Sequence, residues 1–118
     1  MKVLNLLENT KQQMRKGVLE LCILSIISDE GEAYPSDIIE RLKESELIVK
    51  QGTMYPLLAR LKGAGLLDYT WKESDAGPPR KYYMLTEIGN EFLGGLMGTW
   101  GQLVEAVTYS TKNLQANK

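Results

Sequence analysis

The stretch Gly52-Thr53-Met54-Tyr55-Pro56-Leu57-Leu58-Ala59-Arg60-Leu61-Lys62 decides how the rest of the chain is read. Met54, Leu57, Leu58 and Leu61 recur at i, i+3, i+4 and i+7, one apolar stripe at the period of an α-helix. Proline has no backbone N–H, so Pro56 is tolerated only near a helix start, which places that start close to Gly52 or Thr53. Gly63 and Gly65 supply the stop. The remaining face carries Thr53, Tyr55, Pro56, Ala59, Arg60 and Lys62. A hydroxyl, a phenol and two cations on one face suit a helix lying in the major groove of a duplex, with its N-terminal residues against base edges. They equally suit an ordinary solvated amphipathic helix.

The following residues move the balance. Leu67, Tyr69 and Trp71 alternate with Leu66, Asp68, Thr70 and Lys72, the period of a β-strand. Tyr82 to Leu85 alternate again, and residues 73–79 between the two runs are rich in turn formers. Two strands alone are marginal in water, so this hairpin must lean on helices. Arg80 and Lys81 stand beside the turn, where a hairpin can touch phosphates or a minor groove. A helix followed by a basic hairpin is the outline of a winged helix-turn-helix.

The ordered set Gly52-Thr53-Met54-Tyr55, Leu58, Arg60-Leu61-Lys62, Gly65-Leu66-Leu67, Trp71, Gly77-Pro78-Pro79-Arg80-Lys81-Tyr82-Tyr83, Leu85-Thr86 and Gly89 resembles the signature of PadR-like transcriptional regulators. The resemblance begins near Lys16-Gly17-Val18-Leu19-Glu20-Leu21 and extends through Gly89. It implies a dimeric DNA-binding repressor that dimerises through its terminal helices and is often released from its operator by a small molecule. Pro35 stands where the family commonly has glycine, which concerns the fine contacts of the supporting helix.

A chain of 118 residues reads as one domain. No apolar run is long enough to span a membrane, and no secretory leader pattern opens the chain, so a cytoplasmic address is expected. Cys22, the one cysteine, reads as a small core residue, and with no histidine a metal site or cofactor is not expected. The missing histidine, and the lack of paired acids or a phosphate-cradling glycine loop, also argue against an enzyme. The net charge of −1 looks wrong for a partner of nucleic acid, but its distribution answers the objection. From Lys50 to Lys81 six cations face three acids, a local +3, and the other residues carry −4. Local charge beside the phosphates governs affinity.

Before the reading helix, Thr10 and Gln13 form a Thr-x-x-Gln capping box, predicting a helix from there to about Ser28, with the residues before it ambiguous. Residues 18–27 are apolar on nearly every face, so that helix needs cover on two sides. Tyr34-Pro35-Ser36-Asp37 opens the supporting helix; Ser36 either caps it or approaches a phosphate. Thr86 caps a last helix predicted to run from Glu87 to about Asn113. Its stripe of Ile88, Phe92, Leu96, Trp100, Leu103, Val107 and Leu114 is too long for so small a domain to cover and is available to a partner. Gly94, Gly95, Gly98 and Gly101 crowd this helix near Trp100, and each costs roughly 0.5–1 kcal/mol against alanine. Close helix approach offsets that cost in one reading, a ligand cavity beside the indole in the other.

The expected architecture is α+β, mostly α: a winged helix-turn-helix over residues 1–85, with a two-stranded wing, and a long C-terminal dimerisation helix over residues 86–118. The expected contacts to a double-stranded DNA operator are Ser36, Thr53, Tyr55, Arg60, Lys62, Arg80 and Lys81. Met14, Met97, Trp100 and Val104 are the candidates for holding a small-molecule effector. The competing class is a winged-helix module that binds protein rather than DNA, against which the basic bias of the reading segment speaks.

Overall fold

Helix α1 (Lys2–Glu30) supplies the wall against which the core is built. Only its C-terminal half is buried, through Leu19, Ile23, Leu24, Ile26 and Ile27. In this computed structural model, which describes residues 2–115, α2 (Pro35–Glu44) and α3 (Gln51–Gly63) pack onto that half with Ile38, Leu42, Met54, Leu58 and Leu61. Strands β1 (Leu67–Ser74) and β2 (Gly77–Leu85) close the core with Leu67 and Tyr83, and α4 (Glu87–Ser110) and the short α5 (Lys112–Gln115) follow. Burial of each aliphatic core side chain contributes about 1.5–3 kcal/mol. The architecture is the expected one, mostly helical with one two-stranded antiparallel sheet.

Several boundaries differ from the sequence reading. Helix α1 runs straight through Thr10 and Gln13, so the capping box marks nothing. No glycine or proline interrupts residues 2–16, and a Thr-x-x-Gln pattern cannot start a helix that is already propagating. Met1 lies outside the described residues. Helix α3 begins at Gln51, so Pro56 is its sixth residue; the missing N–H leaves the carbonyl of Gly52, on an exposed face, to water. The turn expected over residues 73–79 shrinks to Asp75 and Ala76, because Pro78 and Pro79 are accommodated inside β2. In a two-stranded sheet every strand is an edge, and edges tolerate residues that cannot donate.

Two junctions fix the angles between elements. At the first, Ala33 and Tyr83 exchange backbone hydrogen bonds of 2.9 and 2.8 Å, so the α1–α2 connection adds a bridge to the outer edge of β2. At the second, Gly65 ends α3 in the left-handed conformation (φ 82°), with its N–H bonded to the Lys62 carbonyl and the Leu66 N–H to the Leu61 carbonyl. The Leu66 carbonyl then accepts from the Thr86 N–H at 3.1 Å. The Thr86 hydroxyl donates to the Gly65 carbonyl at 2.6 Å and accepts from the Gly89 N–H at 3.0 Å, confirming Thr86 as the cap of α4. Gly89 is buried, and a Cβ there would overlap the Leu66 carbonyl oxygen.

Beyond that junction α4 lies along α1, with Leu93 and Leu96 packed on the core. One side of the first half of the final helix is therefore covered within the chain, through Leu93 and Leu96, against expectation, whereas Ile88, Phe92 and residues 97–110 are exposed and the helix breaks at Thr111. Residues 2–14 of α1 are exposed likewise. These two projections give a radius of gyration of 17.1 Å, against about 13–14 Å for a compact chain of this length.

Replacing Gly89 with alanine is expected to destabilise the protein by about 2–3 kcal/mol, since backbone cannot move aside as a flexible side chain can. Thermal unfolding followed by circular dichroism checks this, with Gly95→Ala as the comparison: a Cβ there meets nothing within 4 Å.

Candidate nucleic-acid interface

Because Met54, Leu58 and Leu61 turn inward, the opposite crest of α3 is formed by Gly52, Pro56, Ala59 and Gly63, all exposed and none with a long side chain. A crest so low lets the helix backbone come close to whatever it faces. The predicted contact residues divide between its two flanks. Thr53 and Arg60 lie on the side of α1, where Thr53 borders a cleft with Arg15 and Arg60 pairs with Glu20 at 2.9 Å. Tyr55 and Lys62 lie on the side of the wing, where Tyr55 shares a cleft with Trp71, Arg80 and Lys81 and Lys62 sits 5.3 Å from the centre of the Tyr69 ring.

The wing register explains where its cations stand. Leu67 pairs with Leu85, Tyr69 with Tyr83 and Trp71 with Lys81, so one face grades from buried at its base to exposed at its tip. Lys81 lies 4.3 Å from the Tyr69 ring centre and 5.4 Å from that of Trp71. On the other face Lys72 pairs with Arg80, two like charges directly opposed. Glu32 relieves that repulsion by an ion pair with Lys72, which raises the pKa of the lysine through their hydrogen bond. Arg80 instead lies over Tyr34, 4.7 Å from the ring centre.

These partners sort the cations by availability. A carboxylate already compensates Arg60 and Lys72. Among the described residues no carboxylate pairs with Lys50, Lys62, Arg80 or Lys81. Aromatic faces hold Lys62, Arg80 and Lys81 in place by about 0.5–1 kcal/mol each and leave the charge uncancelled. A phosphate can therefore be added to them without displacing a partner, whereas Arg60 must exchange Glu20 for any new acceptor. Ser36 is exposed as the second residue of α2, whose N-cap is Tyr34 without a side-chain cap, so its hydroxyl does not cap the helix.

Sequence reasoning did not find Tyr34, Glu32 or the Ala33–Tyr83 bridge, since nothing local links the α1–α2 connection to a strand fifty residues later. Trp71 was findable: it continues the inward face of Leu67 and Tyr69 past the end of the core, and it is 61% exposed.

A second feature lies away from this surface. An apolar groove of about 560 Å³ runs between α1, α2 and α4, bordered by Leu21, Cys22, Leu42, Leu93, Met97 and Trp100. A smaller one of about 170 Å³ on the far side of Trp100 holds Met14, Val18, Leu96 and Leu103. Of the four candidate effector residues, Trp100 thus borders both grooves, Met97 the larger and Met14 the smaller, and Val104 borders neither. Gly94, Gly95, Gly98 and Gly101 meet no other atoms at an added Cβ, so no close helix approach within the chain accounts for them.

A reading helix with a low crest, a supporting helix before it and a wing with uncompensated cations together define a winged helix-turn-helix protein of the nucleic-acid-binding class. Residues 23–94 match the transcriptional regulator PadR-like family, and the chain belongs to that family. It is 56% identical to a PadR-like transcription factor from Bacteroides fragilis whose X-ray structure it matches with a TM-score of 0.73, over 86% of this chain and 97% of that one. A PadR-like transcriptional regulator from Bacillus cereus is 41% identical, with a TM-score of 0.71 over 82% of this chain and 94% of that one. A PadR family transcriptional regulator from Eggerthella lenta, 28% identical, matches with a TM-score of 0.82 over 92% and 95%. The protein is accordingly a DNA-binding transcriptional regulator and not an enzyme. No helix among the described residues is long and apolar enough to cross a membrane.

Burial pushes the Cys22 thiol up from its ordinary value. A raised pKa means less thiolate at neutral pH, so alkylation by iodoacetamide is expected to be slower than for free cysteine, with the midpoint of its pH–rate profile displaced to higher pH.

Proposed function

We propose that this regulator is a dimeric repressor in the cytoplasm, with residues 1–85 reading DNA and residues 86–118 holding two copies together. The observation that carries the dimer is the uncovered apolar stripe of α4: Phe92, Leu103 and Val107 are 40%, 53% and 58% exposed, and Ile88 in its first turn is exposed as well. A row this long is not a scatter of single surface hydrophobes. Two copies joined along it present two reading helices to one duplex, spaced by a helical turn or a multiple of it. Thr53 and Tyr55 meet base edges, and Lys62, Arg80 and Lys81 hold the backbone. Ser36, exposed at the start of α2, reaches a phosphate.

The groove beside Trp100 supports release by a flat, apolar small molecule. Such a ligand would stack on the indole, and the unbranched Met97 would adapt to its shape. It releases the operator only to the extent that it binds one arrangement of the two heads more tightly than the other.

Three measurements test this reading. Leu103→Asp with Val107→Asp should yield a monomer in sedimentation, and operator affinity should fall by about 100-fold or more as two linked reading heads become one. A monomeric wild-type protein at micromolar concentration would sink the dimer. Replacing Arg80 and Lys81 with alanine should weaken binding to all duplexes and lower the salt slope by nearly 2, about 0.9 for each phosphate that is no longer neutralised. In a Trp71→Phe background, where Trp100 is the one indole left, a flat aromatic dye should quench the fluorescence and dissociate the operator together; quenching without dissociation would leave the groove without a regulatory role.

A further inference from the structure

On the flank of α3 away from the wing, α1 and the approach to α3 enclose a cleft of about 320 Å³. Its rim carries Arg15, Lys16 and Lys50, together with Gln12 and Thr53, and among the described residues no carboxylate lines it. Three cations on one small concavity without a counter-charge repel one another, an arrangement that lacks a compensating anion. The cleft is also built rather than incidental. The Arg15 guanidinium donates to the Ile48 carbonyl at 2.6 Å, which ties α1 to the segment leading into α3 and fixes the arginine along one wall. Lys16 and Lys50 are exposed and take part in no ion pair. Thr53 stands both on this rim and on the exposed flank of the reading helix, so the cleft opens where α3 would enter a groove.

We propose that this cleft is a second seat for a DNA backbone phosphate, held by Lys16 and Lys50 with Arg15 behind them. It rests on the reading of α3 as the DNA-contacting helix and extends the interface to α1. A helix in the major groove has a sugar–phosphate backbone on either side of it. The wing cations Arg80 and Lys81 serve one side; the α1 cleft serves the other, and the crest of Gly52, Pro56 and Ala59 lies between them. Two backbone anchors across the helix fix its register, which anchors on one side alone leave free to roll. Arg60, on the same flank, is already compensated by Glu20, which it would have to exchange for a phosphate.

The test uses the full-length protein, a duplex selected by it from a random-sequence pool, and a scrambled duplex of the same length. Affinities are measured by fluorescence anisotropy between about 50 and 200 mM salt, where phosphate contacts dominate the response. The Lys16→Ala, Lys50→Ala double variant changes two exposed side chains, and circular dichroism verifies that it folds. Its salt slope should fall by nearly 2, its affinity should drop about tenfold and equally for both duplexes, and Lys16→Arg with Lys50→Arg should restore binding. Arg60→Gln should leave the slope where it was. An unchanged slope in the double variant overturns the proposal, and so does a weakening confined to the selected duplex, which would make these lysines base readers. If no duplex emerges from selection but the scrambled one still shows the expected drop in slope, the cleft stands and sequence-specific regulation falls. If the wild type binds no duplex at low salt, both fall.

Discussion

The Leu66 carbonyl is the point on which the molecule turns. It receives the Thr86 N–H, while the Thr86 hydroxyl bonds the Gly65 carbonyl before it and the Gly89 N–H after it. Four segments meet there: the end of the reading helix, both strands of the wing at their Leu67–Leu85 base, and the first turn of α4. Backbone polar groups at buried residues such as Leu66 and Gly89 must find partners, so their bonds to Thr86 fix mutual angles as well as adding stability. Gly89 is the condition that allows them, because any side chain there would occupy the space of the carbonyl oxygen.

Around that fixed frame the cations are held by two different chemistries. Carboxylates hold Arg60 and Lys72, which sit where the fold needs a tie: one between α3 and α1, the other between the wing and the α1–α2 connection. Aromatic rings hold Lys62, Arg80 and Lys81, which sit where the molecule faces outward. An exposed ion pair contributes about 0–1 kcal/mol, and a cation on an exposed ring contributes a similar amount, so the choice between them has little to do with stability. It decides which charges remain to be met by something else. A chain of net charge −1 can in this way present a positive surface.

The sequence was most readable where spacing alone determines the outcome. The stripe of Met54, Leu57, Leu58 and Leu61, the alternation through Trp71 and the Thr86 cap depend on residues within a few positions of one another, and the fold and its family followed from them. The missed features are of two kinds. Some are permissive local signals overridden by their neighbours, as when Thr10 is carried along inside a helix that began at Lys2. Others are contacts between distant segments: Glu20 with Arg60, Arg15 with the Ile48 carbonyl, Ala33 with Tyr83. Of these the first removes a candidate base reader from the free cations and the second shapes a basic cleft. Nothing in the spacing of those residues announces them, because the distance between them is set by the packing of the helices and strands on the shared core.

The continuity of the knot at Leu66 with α4 has a mechanical consequence. With 24 residues, α4 extends about 36 Å from Thr86 at 1.5 Å per residue. Rocking the helix by 5° about that fulcrum moves its far tip by about 3 Å. Small forces applied near Val107 therefore act on the Leu66 junction with the advantage of a long handle.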